Sequence, residues 1–439
     1  QAKAIGVHIA LAPVMDINNN PNNPIINFRS FSDNPKIVSD FGNSFIKGIQ
    51  DGGVFACVKH FPGHGDTNID SHSSLPFIIG NREKLEQNEL IPFKASVQNG
   101  VEMVMVGHIA MEGLDSSKVP ASFSYKITTD LLRKDWGFNG IIITDGMEMG
   151  GLTETAWAGE SAIRAVEAGA DILLLPLNVE QTINSIFNAI KSGRLSESRI
   201  NRSVKKIWEA KFKLGLLPKL DKPNWVDVEK NIGILEHTKV SKEIAAKSIT
   251  VVKKSKGTFP LVPKNISKLT HIIMSTDDSA PDILRPFIRD VGKTHSNVEE
   301  IYVTQPLTDL GISDLLNRLK KTDHVLVSLL IRIRMDKGIS TIDLSHSNFM
   351  KRLDQNNIPF TVFSFGSPYL PDYSMINSYV CVYGYGNVSQ MAAADVLWGR
   401  KKSEGTLPID LNKNYKRGWG IFSKLSPGFK LNNNFSINL

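Results

Sequence analysis

Short, almost wholly apolar runs alternate with amphipathic segments along the first half of the chain. The apolar runs predict strands at 7–16, 54–58, 101–108, 140–145 and 171–176. Apolar residues spaced three or four apart predict helices at 35–51, 83–98, 126–135, 159–168 and 179–213, the last broken near Gly193. Strands that are apolar along their whole length are typical of a parallel sheet with both faces buried. The first half is therefore predicted to be an α/β fold of the (β/α)-barrel type.

The alternation restarts after a stretch with proline and lysine at 218–232, which is typical of a linker. Further apolar runs predict strands at 249–252, 271–274, 301–303, 324–330, 360–363 and 379–383. This second α/β region is of the usual size of one domain. It has no glycine-rich phosphate loop and no acidic or histidine cluster at its predicted strand ends, so we expect it to support the first region.

Polar residues stand at or just after the ends of four predicted strands, namely Asp16, His60, His108 and Asp145. The carboxyl ends of the strands in a parallel barrel meet at one rim, where ligands bind. These side chains are therefore predicted to share a rim. His108 taken alone is more typical of a hydrogen-bonded core histidine, and we adopt that interpretation for it.

The most polar of these strand ends covers residues 59–72, with Lys-His-Phe-Pro-Gly-His-Gly-Asp-Thr followed two residues later by Asp-Ser-His. A plain solvated turn is one interpretation, in which Gly63 and Gly65 serve only a backbone that needs positive φ. That interpretation does not account for Lys59 and His60, which stand where the strand should still be half-buried. The segment is therefore predicted to be the edge of an active site.

A metal centre is the next alternative for this segment. Residue types that zinc or iron accepts as ligands are present at His60, His64, His72, Asp66 and Asp70. Their spacing matches no standard ligand motif, however, and Lys59 would place a competing cation beside the metal. We therefore expect no metal.

Composition narrows the class of protein. A chain of 439 residues with 41% hydrophobic and 22% charged residues is globular, and its length predicts two domains. The net charge of +7 is spread over short, dispersed clusters, which argues against nucleic-acid binding. Cys57 and Cys381 lie in separate apolar runs and are predicted to be small buried residues. No apolar run reaches the length of a membrane span, and the compartment is left open between cytoplasm and periplasm or secretion.

Asp145 is the strongest single candidate for chemistry. It ends a mostly apolar strand and precedes a glycine-containing turn, which would place its carboxylate at the rim. A carboxylate there can capture developing oxocarbenium charge as the nucleophile of glycosyl transfer. The alternative role is an N-cap of the following helix. The shared rim with Lys59 and His60 favours chemistry.

Retaining glycoside hydrolysis also needs a general acid/base. Glu148 lies in the same turn as Asp145 and is expected to point elsewhere. His72 is the better candidate, because imidazole titrates near neutrality and Asp70 could orient and tune it. Arg29, Lys59 and His60 would then donate hydrogen bonds to sugar hydroxyls.

These residues resemble the glycoside hydrolase family 3 β-N-acetylglucosaminidases of the bacterial cell-wall-recycling type. The likeness rests on the 59–72 segment and, in chain order, on 12–16, 27–31, 104–108, 120–122 and 143–149, and in the second region on 365–369 and 392–399. It implies a (β/α)8-type TIM barrel at 1–217 whose first strands precede this chain, a linker at 218–235 and an α/β sandwich domain at 236–411. The tail 412–439 is interpreted as a possible linker to a further domain.

The resemblance implies a role for each candidate residue. Asp145 would be the nucleophile, His72 the acid/base assisted by Asp70, and Arg29, Lys59 and His60 the ligands of N-acetylglucosamine. It also implies retention of configuration, no cofactor and release of terminal N-acetylglucosamine from peptidoglycan fragments.

Other activities are kept as alternatives. They are a β-glucosidase of the same family, a metal-dependent barrel hydrolase, and a sugar-binding module without catalysis. We expect a carbohydrate substrate, no nucleic-acid partner and a monomer. Water and phosphate both remain open as the acceptor, since a histidine acid/base tolerates an anionic acceptor better than a carboxylate does.

Overall fold

A computed structural model describes residues 1–67, 74–153, 156–218, 223–255, 259–333 and 341–422. The chain divides into two compact units, the first including Gln1–Ile234 and the second including Leu235–Ile333 and residues 341–422. In these ranges every helix is too short or too polar to cross a lipid bilayer. Cys57 and Cys381 are both buried free thiols, as predicted.

The first unit is built on a parallel sheet. Its strands are β1 (Ile9–Ala10), β2 (Phe55–Phe61), β3 (Phe77–Ile78), β4 (Met103–Val106), β5 (Ala110–Met111), β6 (Ile141–Gly146) and β7 (Ile172–Leu174). Five of them form one sheet in the order β1-β2-β4-β6-β7, with every pair parallel, while β3 and β5 form a separate parallel pair. The first unit therefore has the predicted TIM-barrel-like α/β fold.

Helices connect these strands. They are α1 (Pro35–Asp51), α2 (Arg82–Gln87), α3 (Leu90–Gln98), α4 (Gly150–Thr153), α5 (Ala158–Ala168), α6 (Val179–Lys191), α7 (Glu197–Lys213) and α8 (Trp225–Asn231). A π-helix covers Lys126–Asp135, and short 3-10 helices cover Lys3–Ile5, Asn27–Arg29 and Ala121–Phe123.

Side chains along each strand alternate between two buried clusters. On β2, Ala56 and Val58 join the cluster formed with α1, α3 and the π-helix, while Phe55 and Cys57 join a cluster on the opposite face. Lys59 continues the second set, because side chains two residues apart in a strand share a face. It therefore emerges at the carboxyl end of the sheet on the face opposite α1, α3 and the π-helix.

The sheet register is irregular at two places that matter for the site. Between Val58 and Phe61, β2 has one residue more than the facing part of β4. A second irregularity lies in the pairing of β6 with β7, where the register shifts between Ile143 and Gly146. Bulges of this kind add an unpaired residue and re-aim the neighbouring side chains. They lie at Lys59–His60 and at Thr144–Asp145.

Several predicted elements have different bounds. The first strand is only Ile9–Ala10, because Pro13 has no amide hydrogen to continue the ladder. The predicted helix 83–98 is two helices, since Pro92 fits only the first turn of α3. The predicted linker 218–235 contains α8, whose first turn Asn224 caps by accepting from the Val226 amide at 3.0 Å.

The second unit has a six-stranded sheet. Its strands are β8 (Thr250–Lys253), β9 (Leu269–Met274), β10 (Val298–Val303), β11 (His324–Ile331), β12 (Phe360–Gly366) and β13 (Ser378–Cys381). They lie in the order β10-β9-β11-β12-β13-β8, and all pairs are parallel except β13 with β8. A strand is thus present at each place where the apolar runs predict one.

Helices cover both faces of this second sheet. They are α9 (Leu235–Ser248), α10 (Ala280–Ile283), α11 (Arg285–Thr294), α12 (Asp309–Arg318), α13 (Leu344–Gln355) and α14 (Asn387–Leu397), with 3-10 helices at Pro263–Asn265 and Leu319–Lys321. Residues of α12 and α13 join one core cluster, and residues of α9, α11 and α14 join the other.

Part of the predicted tail packs on the second unit. The Ile421 amide donates to the Val251 carbonyl at 2.8 Å, and the Trp419 indole donates to the Val252 carbonyl at 2.8 Å. Residues 412–422 therefore belong to the folded second unit, whereas 423–439 lie outside the described residues.

Candidate active site

Asp145 lies near the end of β6 and is half-buried. Its Oδ1 accepts from the Gly146 amide at 2.9 Å. Burial by itself would raise the pKa of this carboxyl, but nearby His60 and His108, the Gly146 amide and Lys59 together outweigh burial and lower it. Asp145 is therefore ionised at neutral pH. It stands inside β6 and well before α4, so it does not cap that helix.

Lys59 lies close to Asp145 but is not bonded to it. Its half-buried ammonium group makes no hydrogen bond or ion pair with any residue that the structure describes. Burial, and to a smaller extent the neighbouring Arg29 guanidinium, lowers the pKa of Lys59 against the opposite effect of Asp145. A partly desolvated cation without a partner is unfavourable in the free protein. It is available to a ligand.

Arg29 ends the short helix Asn27–Arg29 and is also half-buried. Its Nη1 donates to the Ile25 carbonyl at 3.0 Å, which leaves other guanidinium donors for a ligand. Arg29 and Asp145 both lie near enough to Lys59 to shift its pKa in opposite directions, and the roles of these three predicted residues stay predictions.

His60 is nearly buried, with 6% of its surface exposed, and pairs with Asp16. The His60 Nδ1 lies 2.7 Å from Asp16 Oδ2, and the His60 amide donates to both Asp16 oxygens at 3.3 and 3.2 Å. The sequence predicts Asp16 at the rim as a strand-end residue but assigns it no role. Only the fold shows it bonded to the signature segment at 59–72.

His64 supplies the third donor to Asp16. Its amide donates to Asp16 Oδ1 at 2.7 Å, and its ring Nδ1 lies 2.8 Å from the Thr67 hydroxyl. Burial lowers the pKa of His64 to about 4, against the opposite effect of Asp16, so the ring is neutral at physiological pH. Asn23 ties the same turn to its neighbours by donating to the His64 and Gly65 carbonyls, at 2.8 Å each.

His108 is a buried, fully bonded histidine, as predicted. Its Nε2 donates to the Gly146 carbonyl at 3.0 Å, and its Nδ1 lies 2.8 Å from the Ser122 hydroxyl. Burial lowers the pKa of His108, with Asp145 acting in the opposite direction. It therefore supports the backbone beside Asp145, and both of its ring nitrogens are occupied.

Glycine is required at positions 63 and 65 of the signature segment for two different reasons. Gly63 has φ of 131°, a conformation that favours glycine. Gly65 does not have positive φ, so the solvated-turn interpretation does not account for it. A Cβ there would lie 1.7 Å from the Ile17 carbonyl oxygen, so Gly65 is required by a close backbone approach.

Asp70 and His72, the predicted acid/base pair, lie at 68–73, outside the described residues. Their roles stay predictions. Glu148, the less favoured candidate, is exposed.

The described residues provide no group of three or more histidine, cysteine, aspartate or glutamate side chains that could hold a metal ion. In the metal hypothesis, His60 and His64 would be ligands, but one ring nitrogen of each is already bonded to Asp16 or Thr67. The third ligand, His72, lies outside these residues.

The rim thus combines an ionised carboxylate, a guanidinium, an imidazole and an ammonium that makes no bond within the described part of the chain. Directional donors around a carboxylate suit a polyhydroxylated ligand whose reacting carbon develops positive charge. This class of site sits on a TIM-barrel-like fold, at the strand ends where such folds bind ligands.

Residues 1–210 match the sequence profile of the glycosyl hydrolase family 3 N-terminal domain. Residues 1–210 are thus a glycoside hydrolase family 3 N-terminal domain, which confirms the resemblance for this region.

Individual relatives agree with this assignment. The chain is 33% identical over 294 residues to beta-hexosaminidase A of Pseudoalteromonas piscicida, covering 62% of this chain and 48% of that protein. It is 30% identical over 273 residues to a beta-N-acetylglucosaminidase/beta-glucosidase of Cellulomonas fimi, covering 60% of this chain and 48% of that protein. The chain thus spans about half the length of the curated relatives it matches.

A solved structure extends the likeness along the chain. It is a glycoside hydrolase family 3 beta-N-acetylglucosaminidase from Paenibacillus sp. str. FPU-7, with a TM-score of 0.80 and 29% identity. The match covers 94% of this chain and 78% of that one.

Proposed function

We propose that this chain is the catalytic part of a retaining exo-β-N-acetylglucosaminidase that removes terminal N-acetylglucosamine from peptidoglycan-derived fragments. The observation that carries the proposal is the ionised Asp145 carboxylate at the strand ends, beside a Lys59 ammonium that has no partner among the described residues. A structural carboxylate in such a place would be expected to pair with the cation. Here the two groups are not bonded to each other, which supports a role for both in binding a ligand.

The site supports a two-step mechanism. Asp145 attacks the anomeric carbon while His72, oriented by Asp70, protonates the leaving oxygen, and a glycosyl ester forms on Asp145. Water then attacks the same carbon as His72 takes up its proton, and the ester bond to Asp145 breaks. Two inversions give net retention.

The remaining residues bind the sugar. Arg29 and Lys59 donate to its hydroxyl or amide oxygens, and His60 offers its Nε2. The names of the relatives, beta-hexosaminidase and beta-N-acetylglucosaminidase, support N-acetylglucosamine as the sugar recognised. The Cellulomonas fimi relative is also named a beta-glucosidase, so a plain glucoside is the informative comparison.

Release of nitrophenol from 4-nitrophenyl N-acetyl-β-glucosaminide by the complete protein that carries this chain tests the activity. The same measurement on 4-nitrophenyl β-glucoside tests the sugar, and a chelator tests the metal alternative. We expect chelator-resistant turnover that is faster on the N-acetylated substrate. Turnover of the glucoside alone would assign the β-glucosidase activity, and loss with chelator would favour the metal-dependent hydrolase.

Proton NMR of the first-formed sugar tests retention, for which we expect the β-anomer. An activated 5-fluoro analogue of N-acetylglucosamine should label the protein covalently, and peptide mass spectrometry should locate the label on Asp145. A first-formed α-anomer, or a label on another residue, would contradict the mechanism.

A further inference from the structure

Asp16 is a fully buried carboxylate at the base of the signature segment, with 0% of its surface exposed. It accepts from three different N–H groups: the His60 amide, the His60 ring Nδ1 and the His64 amide. Burial would raise the pKa of Asp16, but the two histidines and these hydrogen bonds outweigh it and lower the pKa. Asp16 therefore stays ionised and acts only as an acceptor.

This arrangement determines the His60 tautomer. Because an ionised carboxylate cannot donate, the Nδ1 at 2.7 Å from Asp16 must carry a proton. In neutral imidazole the other nitrogen, Nε2, is then an acceptor. Nε2 has no hydrogen-bond partner among the described residues, and His60 stands at the carboxyl end of β2, where ligands bind in folds of this kind. The accepting nitrogen is therefore available at the rim.

We propose that Asp16 is a positioning residue that holds His60 as the Nδ1–H tautomer, so that Nε2 accepts a hydrogen bond from one hydroxyl of the bound sugar. This differs from the sequence-based expectation that His60 donates. The choice of a sugar hydroxyl as partner rests on the proposed function. The tautomer itself does not, because it follows from contacts within the protein.

Asp16→Asn is the informative variant, since it keeps the shape but offers one acceptor oxygen instead of two. If that oxygen faced the His60 ring, the amide nitrogen would face the His64 backbone N–H, which cannot change. If the oxygen faces the His64 amide, the side-chain NH₂ faces His60 Nδ1, which can become an acceptor. The second arrangement is the better one, because the His60 backbone amide, which also faces the NH₂, can still donate to the oxygen in the Oδ1 position. Asp16→Asn should therefore move the His60 ring proton to Nε2.

Nitrogen NMR of the isotope-labelled histidine rings measures this directly in the ligand-free protein. His60→Gln identifies the His60 signals, and spectra at about pH 8.5 lie above the ordinary pKa of imidazole. We expect Nδ1–H in the wild type and Nε2–H in Asp16→Asn, with Asp40→Asn on exposed α1 as the matched control. A wild-type ring protonated at Nε2, or at both nitrogens, would overturn the proposal, as would an unchanged ring in Asp16→Asn.

Substrates altered at one hydroxyl at a time test the consequence for recognition. A fluorine in place of the hydroxyl that His60 contacts can accept weakly but cannot donate. The wild type should lose about 10- to 100-fold in kcat/KM at that position, beyond the losses elsewhere, and Asp16→Asn should lose clearly less there. Comparing the two proteins cancels the electronic effect of fluorine on the reaction. An equal loss in both would contradict the acceptor role.

A double-mutant cycle with His60→Gln separates positioning from a general structural role. If Asp16 acts through His60, Asp16→Asn should change kcat/KM far less in the His60→Gln background. Full additivity would overturn the proposal. Inactivity of the wild type on every glycoside would refute the proposed function but would leave the NMR result to decide the tautomer.

Discussion

Both sheets are mostly parallel, but they differ in how the polar side chains in and beside their strands are hydrogen-bonded. In the first unit, β2 and β6 end in Lys59 and Asp145, which lie close together without bonding to each other. In the second unit, polar side chains within the strands pair across the sheet. The pairs are His271 with Ser328 at 2.8 Å, His324 with Thr361 at 3.0 Å, and Thr270 with Thr322 at 2.7 Å.

This difference in hydrogen bonding indicates which polar groups serve stability and which serve function. A buried polar group that has its partner is nearly neutral for folding, whereas one without a partner is destabilising. In the first unit, Lys59 at the strand ends has no partner among the described residues, so a ligand can bind it there. Single buried atoms without a partner in the described part of the chain also occur away from the rim, for example at Asn43 and Thr182 in the first unit and at His346 in the second. In the second unit, His271 and His324 lie in the core as neutral rings, and one ring nitrogen of each is bonded to a hydroxyl across the sheet, although the His271 Nδ1 has no hydrogen-bond partner among the described residues. Substitutions of polar residues should therefore change mainly catalysis in the first unit and mainly stability in the second.

The largest effect is expected for Asp145→Asn, which removes the nucleophile and nearly preserves its shape. Turnover of the N-acetylglucosaminide should fall on the order of 10⁴-fold, since loss of a reacting group is not compensated by its neighbours. Steady-state kinetics measure this, with the exposed Asp130→Asn as the control. Activity within a few-fold of the wild type would remove Asp145 from the mechanism.

His324→Gln should change how the stability of the second unit depends on pH. Burial lowers the pKa of His324 to about 4 from an unfolded value of 6.5, so the unfolded chain binds the proton first. This contribution lowers the unfolding free energy as pH falls from about 6.5 to about 4, by on the order of 3 kcal/mol. His324→Gln should lack it.

Denaturant unfolding of the wild type and His324→Gln across that pH range measures the difference. The wild type should lose stability relative to the variant as the pH falls. Parallel curves for the two proteins would show that His324 is protonated equally in both states, against the expectation from its burial.

Lys59→Met should change catalysis and stability in opposite directions. It should lower kcat/KM about 10- to 100-fold, because a charged hydrogen bond to the substrate is lost. It should also raise the melting temperature, since the half-buried cation lacks a partner among the described residues. Exposed Lys36→Met, whose ammonium pairs with Asp40, should change neither quantity much. A destabilised Lys59→Met would mean that Lys59 has a structural role.

Glu89→Gln should have the smallest effect. Glu89 is buried, its Oε1 accepts from Asn19 at 3.0 Å, and its Oε2 has no partner. Burial raises the pKa of this carboxyl, so the wild type loses stability as pH rises above about 4.5, the usual value. Glu89→Gln should therefore be more stable by about 1 kcal/mol at pH near 8 and equal near pH 4. A variant that is less stable at both pH values would refute this account.

The alternation of apolar runs along the chain predicts most of the fold. Helices α1 and α5, the π-helix and the strands of both sheets follow the predicted positions, because periodicity reports which face of an element is buried. The misses have local causes: Pro13 ends the first strand early, and Pro92 divides one predicted helix into two. The polar strand ends predict a shared rim for Asp16, His60, His108 and Asp145. The structure bonds Asp16 to His60, and His108 to the Gly146 carbonyl beside Asp145, since parallel strands bring their carboxyl ends together.

The sequence by itself thus determined the α/β class, the family and the residue types at the rim. Only the tertiary structure decided how those residues are bonded. Asp16 is 44 positions from His60, and nothing local in either segment specifies their contact. The bulges at Lys59–His60 and Thr144–Asp145 likewise depend on the facing strand. Pairing and tautomer are set by contacts across the fold, which periodicity along one strand does not encode.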